Sequence, residues 1–472
     1  MTVTPHPRTL FWNRQDLQQF LAACQQQFKQ PQIISVSHKI DGIDPLTALQ
    51  QFVQPEQLSF YFEQRETETG DRRTIAAFGA TAQLETEGEN RFQTAQAFVQ
   101  STLDRTITVG EQSSLAGPHF FCGFTFFDRV HSARSSFAAA TVFLPEWQIV
   151  QQEGSCFVTA NLAIDAGTDV EILVEQWWKM LQRIQAIHYQ WVSPAFSNQM
   201  LFQRQDVTDP YQFQQAVRSA LAAIHSGQLH KVVQAYAIDI SAPLPFHLAP
   251  SLHNLRTLYP DCCVFALGNG KGQTFIGASP ERLASLQQSH LITDALAGSA
   301  PRGTTPREDS HLADRLLTNV KELHEHHVVS HFITQHLDRL GLSPHKEALR
   351  LLRLPNIQHL HTPIRAIVPA QISLLDIVAA LHPTPAVAGV PRELACAHIR
   401  QYEGFERSLY SAPIGWIDRQ GNGEFIVGIR SALLDGCTAR LFAGAGIVTG
   451  STPDRELAEV QLKLQALLPA LV

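Results

Sequence analysis

Charged side chains in four separate motifs could supply a base, an acid and ligands for a divalent cation. Lys231 opens the run KVVQAYAIDI, and Glu281 follows a Gly-Ala-Ser-Pro turn further along the chain. Glu325 lies in the run HEHH, and the C-terminal segment PDRELAEVQLK adds two glutamates and a lysine. A lysine acts as a base near neutral pH when its pKa is lowered, and a glutamate acts as an acid when its pKa is raised. Together these residue types indicate an enzyme.

The clearest motif is the C-terminal segment, whose pattern predicts a helix from residue 453. Glu456, Glu459 and Lys463 recur at i, i+3 and i+7, so they share one face of that helix. Val460 lies on the same stripe, which indicates a partly buried face. Buried carboxylates need a cation or a proton, and their oxygen atoms suit Mg²⁺. A solvated Glu459–Lys463 pair explains the spacing equally well.

The histidines around Glu325 invite comparison with zinc sites, because His324, His327 and His331 share one helical face. The H-E-x-x-H motif of metalloproteases requires a histidine where this chain has Val328, so that motif is absent. Polar side chains on a half-exposed helix are the simpler interpretation of these histidines. Glu325 differs, because from the same helix it could offer a carboxylate to Mg²⁺.

A glycine-rich segment, FAGAGIVTGS, is predicted as a loop before the C-terminal helix. Its glycines, Gly444, Gly446 and Gly450, miss the G-x-G-x-x-G dinucleotide motif by one position. The bare backbone could instead approach a small anion at the helix N-terminus, although a plain glycine-rich turn is the alternative.

Lys231 and Arg430 each have an ordinary explanation as well. Most lysines are solvated, so Lys231 alone indicates nothing. Arg430, in the predicted strand EFIVGIRSALL, could bind a carboxylate through two hydrogen bonds or form a structural salt bridge.

Composition favours a folded protein that does not bind nucleic acid. The 472 residues could form two or three domains, and 44% hydrophobic against 17% charged residues predicts a large core. The net charge of −7 and the lack of Lys/Arg runs argue against nucleic-acid binding. Seven scattered cysteines are expected to be buried thiols in a reducing compartment. No secretory signal or apolar stretch of about 20 residues is evident, so we expect a soluble cytoplasmic protein.

The elements along the chain predict an α+β fold. Residues 1–200 alternate in hydrophobicity as strands do, and a polar stretch at 193–210 is the best candidate for a boundary between the halves. The second half mixes strands and tight turns with a long helix predicted over about 309–340. Strands outnumber helices and follow one another through tight turns, which favours large antiparallel sheets with helices on their faces.

Nine motifs together closely resemble the chorismate-utilizing enzymes, the family of anthranilate synthase component I, aminodeoxychorismate synthase, salicylate synthase and isochorismate synthase. Their order and spacing match over residues 205–468, whereas the first 200 residues match only in length and strand-rich character. The motifs are KVV, GASPE, LAGSAPRG, KELHEHHVV, LHPTPAVAG, IGWIDRQGNGEF, IVGIRSALL, LFAGAGIV and ELAEVQLKL. The resemblance implies one large α+β domain in which two antiparallel sheets pack together with helices outside.

The resemblance also implies roles for individual residues. Lys231 would be the base that activates water for attack at ring C2, and Glu281 the acid that protonates the departing C4 hydroxyl. Glu325 and Glu459 would bind Mg²⁺ directly, with Glu456 acting through water. Substrate contacts would come from the following residues: Gly298, Ser299, Ala386, Arg430, Gly444, Gly446 and Lys463.

Two positions distinguish members of the family. Anthranilate-forming relatives generally have Gln in place of Lys231, and aminating and some lyase-active relatives have Thr in place of Ala386. The resemblance therefore implies Mg²⁺-dependent conversion of chorismate into isochorismate for menaquinone or phylloquinone synthesis. A salicylate-forming or aminating sibling is the alternative, and a non-catalytic binding protein on the same fold is a further one. We expect a monomer without a glutaminase subunit. Tyr236 and Ala388 depart from the usual Arg and Ser.

Overall fold

The computed structural model describes residues 14–28, 30–65, 70–111, 113–130, 135–187, 202–354 and 357–472. The first half of the boundary proposed at 193–210, residues 193–201, therefore lies outside the described residues. None of the described helices combines the length and the apolar character needed to cross a membrane.

Eleven α-helices lie within the described residues, and a short 3₁₀ turn at Leu468–Ala470 follows the last of them. They are α1 (Arg14–Gln27), α2 (Pro45–Phe52), α3 (Arg91–Asp104), α4 (Val170–Gln185), α5 (Pro210–His225), α6 (Leu248–Leu258), α7 (Pro306–Thr318), α8 (Val320–Arg339), α9 (Leu374–Leu381), α10 (Arg392–Tyr402) and α11 (Pro453–Leu467).

The described residues also form 23 β-strands, numbered here in chain order. They are β1 (Gln32–Ile40), β2 (Leu58–Arg65), β3 (Arg72–Phe78), β4 (Ala82–Thr86), β5 (Thr106–Gly110), β6 (His119–Phe124), β7 (Ala140–Leu144), β8 (Trp147–Gln152), β9 (Ser155–Ile164), β10 (Gln203–Asp206), β11 (Lys231–Ser241), β12 (Cys263–Asn269), β13 (Gln273–Ser279), β14 (Arg282–Gln287), β15 (His290–Pro301), β16 (His345–Lys346), β17 (Arg350–Arg353), β18 (Ile357–Ile367), β19 (Gly389–Val390), β20 (Pro413–Asp418), β21 (Gly423–Val427), β22 (Ser431–Asp435) and β23 (Thr438–Ile447).

The strands form two sheets. Sheet 1 runs in the order β10-β11-β23-β22-β13-β12-β2-β3-β8-β9-β1-β5, with β19 paired to β11. Sheet 2 runs β16-β18-β15-β14-β21-β20-β6-β7-β4, with β17 paired to β18. Described neighbours pair antiparallel, except for the parallel pair β1–β5. Because β2 pairs with β12 and β6 with β20, each sheet continues from the first half of the chain into the second.

Aromatic side chains join the two sheets face to face. Phe60 of sheet 1 and Phe121 of sheet 2 stack with ring centroids 4.5 Å apart, and both are fully buried. Burying such rings supplies much of the free energy that favours folding. The predicted α+β fold of two packed sheets in one large domain is confirmed, in place of the two or three domains that length alone allowed.

Two neighbouring segments carry the chain between the sheets. One joins β13 to β14 and contains Glu281; the other joins β21 to β22 and contains Arg430. The backbone N–H of Val427 donates to the Glu281 carbonyl over 3.0 Å, and that of Ala278 donates to the Arg430 carbonyl over 3.1 Å. These bonds hold Glu281 and Arg430 close together at the crossing.

Two predicted elements are each divided in the structure, so both predictions were wrong in extent. The helix expected over 309–340 is α7 and α8, because Asn319 caps α8 by accepting from the backbone N–H groups of Lys321 (3.0 Å) and Glu322 (3.2 Å). The strand expected in EFIVGIRSALL is β21 and β22, in different sheets. Arg430 therefore lies between strands rather than within one, with a φ of 49°.

Candidate active site

Lys231 is a buried charge at the start of β11, the strand next to the edge strand β10 of sheet 1. Its side chain is only 3% exposed, and its Nζ lies 2.6 Å from Oε1 of Glu325 on α8. Burial opposes ionisation of Glu325, but the charge and hydrogen bond of Lys231, together with the charges of Lys321 and Lys463, hold the pKa of this carboxyl below its ordinary value. Lys231 and Glu325, distant in sequence, thus form one ion pair between strand and helix.

Glu281 is the second buried ionisable group at this place. Two hydrogen bonds fix its backbone where the chain passes from sheet 1 to sheet 2. The Glu281 N–H donates to Ser279 Oγ over 3.2 Å, and the Glu281 carbonyl accepts from the Val427 N–H. Burial raises the pKa of Glu281 to about 8, the nearby Lys231 charge opposes this rise, and Asp294 adds to it. Glu281 is therefore protonated at neutral pH, as a general acid must be.

Gly446 and Gly444 leave space without side chains beside the Lys231–Glu325 ion pair. They lie in β23, opposite Val233 and Ala235 of β11, so the prediction of a glycine-rich loop here was wrong. A Cβ on Gly446 would stand 3.2 Å from Lys231 Cε and 3.3 Å from Glu325 Oε1. A side chain at 446 would therefore crowd the Lys231–Glu325 pair.

Replacing Gly446 with alanine is expected to lower kcat/KM by roughly tenfold or more while the fold survives. The added methyl group would push Lys231 and Glu325 apart, and small misplacements of catalytic groups are costly. Steady-state kinetics and a thermal melt measure both effects. Gly42→Ala, where a Cβ meets only Gln151 at 3.9 Å, is the control. Wild-type kinetics of Gly446→Ala would contradict this role.

A group of carboxylates and a lysine continues the site toward α11. Glu459 and Lys463 form the predicted i, i+4 ion pair at 2.7 Å, and Lys463 Nζ also donates to the Gly444 carbonyl over 2.9 Å. Their side chains are 46% and 37% exposed, whereas Glu456 is buried at 6%. Burial raises the pKa of Glu456, and the Glu459 charge adds to this rise.

Glu322 joins this group, although the sequence analysis missed it. It lies three residues before Glu325 on α8 and accepts from the backbone N–H of Ser299 over 3.0 Å. Burial raises its pKa, with the charges of Glu325 and Glu459 adding to the effect. The i, i+3 spacing was the available signal, since it places both carboxylates on neighbouring positions of one helix.

These residues fit a divalent cation by donor type. Glu322, Glu325, Glu456 and Glu459 offer hard oxygen atoms, and the raised pKa values of Glu322 and Glu456 reflect burial and mutual repulsion that a cation would relieve. Within the described ranges, however, no three or more Asp, Glu, His or Cys side chains are already arranged around one point as ligands. Lysines instead hold Glu325 and Glu459.

Arg430 is a guanidinium without a carboxylate partner among the described residues. Its Nη2 lies 3.4 Å from Nε2 of His359, whose Nδ1 lies 2.9 Å from Ser299 Oγ. Burial lowers the pKa of His359 to about 3, with Arg430 and Lys463 adding to the effect, so this ring is neutral. The structural salt bridge that was the alternative for Arg430 is therefore not formed there, and the guanidinium is free to bind an anion.

Gly298 and Ser299 form a bulge in β15 where the register against β18 shifts. Gly298 has a φ of 79°, and a Cβ there would lie 3.0 Å from Leu360 and 3.1 Å from the Glu322 carbonyl. Glycine is required here because of the positive φ and because a side chain would crowd these two groups. The bulge thus brings the Ser299 hydroxyl and N–H to His359 and Glu322.

The half-buried Ala386 lies in the segment that precedes β19 and borders β11. The Ala388 carbonyl accepts from the Val233 N–H over 2.7 Å. Arg407, 1% exposed, donates to the carbonyls of Val387 (2.9 Å) and Val233 (2.8 Å). It is paired with Glu403, which accepts from the Ala235 N–H over 2.8 Å. This buried pair, which sequence reasoning missed, fixes the Ala386 segment against the strand that begins with Lys231.

Tyr236 lies outside the site despite its place in the same strand. Side chains alternate along a strand, so Tyr236 and Lys231 point to opposite faces of β11. The Tyr236 ring is fully buried and meets Phe213 edge-on, with centroids 5.5 Å apart. Aromatic packing therefore occupies the position where the related enzymes usually have an arginine.

Comparisons with known proteins show the family of this chain. A family model described as chorismate binding enzyme matches residues 19–472. The isochorismate synthase MenF of Bacillus subtilis (strain 168) is 32% identical over 451 residues, which cover 93% of this chain and 93% of that protein. The salicylate biosynthesis isochorismate synthase of Pseudomonas aeruginosa is 33% identical over 457 residues, covering 94% and 91%.

A solved structure supports the same assignment. The menaquinone-specific isochorismate synthase MenF from Escherichia coli superimposes with a TM-score of 0.77 at 25% identity, over 96% of this chain and 99% of that one. The family model and these relatives each span most of the sequence, and the chain therefore belongs to the chorismate-binding enzyme family.

Proposed function

We propose that this protein is an isochorismate synthase that converts chorismate into isochorismate. The observation that carries the proposal is the pairing of a buried Glu281, protonated at neutral pH, with a buried Lys231 nearby. The reaction needs these two groups, because hydroxide is a poor leaving group and water is a poor nucleophile. The aligned relatives from Bacillus subtilis and Pseudomonas aeruginosa, both named isochorismate synthases, support the same activity.

In the proposed reaction, Lys231 in its amine form takes a proton from water as the water oxygen bonds to ring C2. The ring double bonds shift, the C4–O bond breaks, and Glu281 gives its proton to the departing hydroxyl, which leaves as water.

We propose that Glu325 and Glu459 bind Mg²⁺ directly, with Glu456 and Glu322 beside them. When bound, the ion would neutralise carboxylate charge and hold the ring carboxylate of chorismate. The donor type and crowding of these carboxylates support the proposal. Ser299, Lys463 and Ala386 would border the ring side of the substrate.

Arg430 and the backbone near Gly446 would hold the enolpyruvyl carboxylate. Arg430→Lys is therefore expected to raise KM for chorismate about tenfold or more, because it loses a two-point hydrogen bond worth ~1.5–3 kcal/mol per bond to a charged group. Arg440→Lys is the matched control, since Arg440 is already paired with Asp239 at 2.8 Å. An unchanged KM for Arg430→Lys would remove Arg430 from substrate binding.

We further propose that the enzyme acts as a cytoplasmic monomer in quinone synthesis, without a glutaminase subunit. The superposition of the menaquinone-specific enzyme from Escherichia coli over 96% of this chain supports a quinone role.

The decisive experiment incubates purified protein with chorismate and Mg²⁺ and separates the products by HPLC. Isochorismate as the main product, lost on addition of EDTA and restored by Mg²⁺, is expected. Salicylate with pyruvate would indicate the lyase-active sibling, and a product formed only with ammonia would indicate an aminating enzyme. The absence of any turnover would favour a binding protein on this fold.

A further inference from the structure

Helix α8 carries a row of histidines on its solvent side that the proposed reaction does not use. His324, His327 and His331 are exposed, whereas His326 and Val329 between them are buried. Glu325 faces Lys231 and lies 16% exposed. The helix therefore presents carboxylates to the candidate active site and imidazoles to solvent.

Two of these histidines are arranged as a pair. The His327 and His331 rings lie nearly parallel, with an interplanar angle of 12° and centroids 6.0 Å apart. Their i, i+4 spacing makes them neighbours on successive helical turns. Across the part of the chain that the structure describes, neither imidazole has a hydrogen bond or an ion pair to another residue. Both rings are therefore free to turn their nitrogen atoms toward one point between them.

We propose that His327 and His331 form a second metal site, which binds a borderline transition metal ion such as Zn²⁺, Ni²⁺ or Cu²⁺. Imidazole nitrogen is a preferred ligand for these ions, whereas Mg²⁺ prefers oxygen. No third protein ligand completes the group within the described residues, so water fills the remaining positions. The site differs from the carboxylate group in ligand type and in the face of α8 that it uses.

The chelate would also link two turns of α8. An ion held by residues four apart is bound cooperatively, because attachment of the first imidazole presents the second at high effective concentration. Binding to the folded helix alone would stabilise it, so amide exchange in α8 is expected to slow when the site is loaded.

The test titrates the full-length, tag-free protein with Ni²⁺ in the presence of excess Mg²⁺, using calorimetry. One ion per chain is expected, with binding weakened about tenfold or more in both His327→Ala and His331→Ala. Nitrogen hyperfine structure from two imidazoles in the Cu²⁺ spectrum is the second expected result. Unchanged melting curves would show that these exposed substitutions leave the fold intact.

His324→Ala is the matched control, because His324 lies on the same exposed face one turn earlier. It is expected to bind Ni²⁺ as the wild type does. Loss of binding in His324→Ala with wild-type binding in His331→Ala would overturn the assigned pair. Equal binding by all three variants and the wild type would overturn the site itself. Isochorismate formation by the His331→Ala variant measures the proposed function separately.

Discussion

Glu281→Gln is expected to lower kcat by about 10²–10⁴-fold while chorismate still binds. Glutamine has nearly the same size and can still form hydrogen bonds, but it cannot give a proton to the departing hydroxyl. Glu281 makes its backbone hydrogen bonds through N–H and carbonyl groups, so the crossing between the sheets should survive the change. Product formation by HPLC and chorismate binding by calorimetry measure the two effects.

The pH dependence provides an independent measurement. Because the pKa of Glu281 is about 8 in the folded protein, kcat/KM is expected to fall as pH rises through about 8. Stability should follow the same group: between its ordinary pKa of 4.5 and about 8 the folded state holds a proton that the unfolded state has lost. The free energy of unfolding therefore falls with rising pH across this window, by at most about 1.4 kcal/mol per pH unit. Glu281→Gln should remove that contribution.

Glu146→Gln is the control for this prediction. Burial also raises the pKa of Glu146, but this residue lies in the turn between β7 and β8. Glu146→Gln should turn over chorismate as the wild type does, and its kcat/KM should show the same fall at alkaline pH. Full activity of Glu281→Gln would assign the proton transfer to another group.

The parts of the site that could be predicted from the sequence are those in which a local pattern fixes the arrangement. Glu459 and Lys463 are four residues apart on α11, so helical geometry alone brings them to 2.7 Å. Lys231 and Glu281 were identified through the motifs around them, and their burial agrees with the roles implied by the family resemblance. Alternation of apolar residues likewise predicted the strand-rich character of residues 1–200.

The parts that could not be predicted depend on contacts between distant segments. Arg430 has a positive φ because the chain crosses between sheets there, and an alternating pattern does not show where a strand leaves its sheet. His359 contacts Arg430 only because β18 pairs with β15 beside the Ser299 bulge. The break at Asn319 is a local helix cap within a long amphipathic pattern. The apolar periodicity continues through the cap, so periodicity alone predicts one uninterrupted helix.

Lys231→Gln is expected to lower kcat by about 10²–10⁴-fold, since the amide cannot take a proton from water. It can still donate a hydrogen bond to Glu325, so the fold should tolerate it. Lys231→Met removes that bond as well and leaves Glu325, 16% exposed, without its ion-pair partner. Breaking a buried ion pair by removing one partner costs roughly 3–5 kcal/mol, so this variant should be destabilised as well as inactive.

The stability difference between wild type and Lys231→Met should depend on pH in a defined direction. Lys231 lowers the pKa of Glu325, so its contribution is complete above the ordinary carboxyl pKa and is lost as pH falls through the lowered value. Denaturant unfolding at pH 7 should therefore show the full difference in free energy of unfolding between the two proteins. The same measurement at acid pH should show a smaller difference. Lys271→Gln, an exposed lysine in the turn between β12 and β13, is the control and should match the wild type in turnover and stability. A difference that stays constant down to low pH would mean that Lys231 stabilises the fold through packing and not through its ion pair with Glu325.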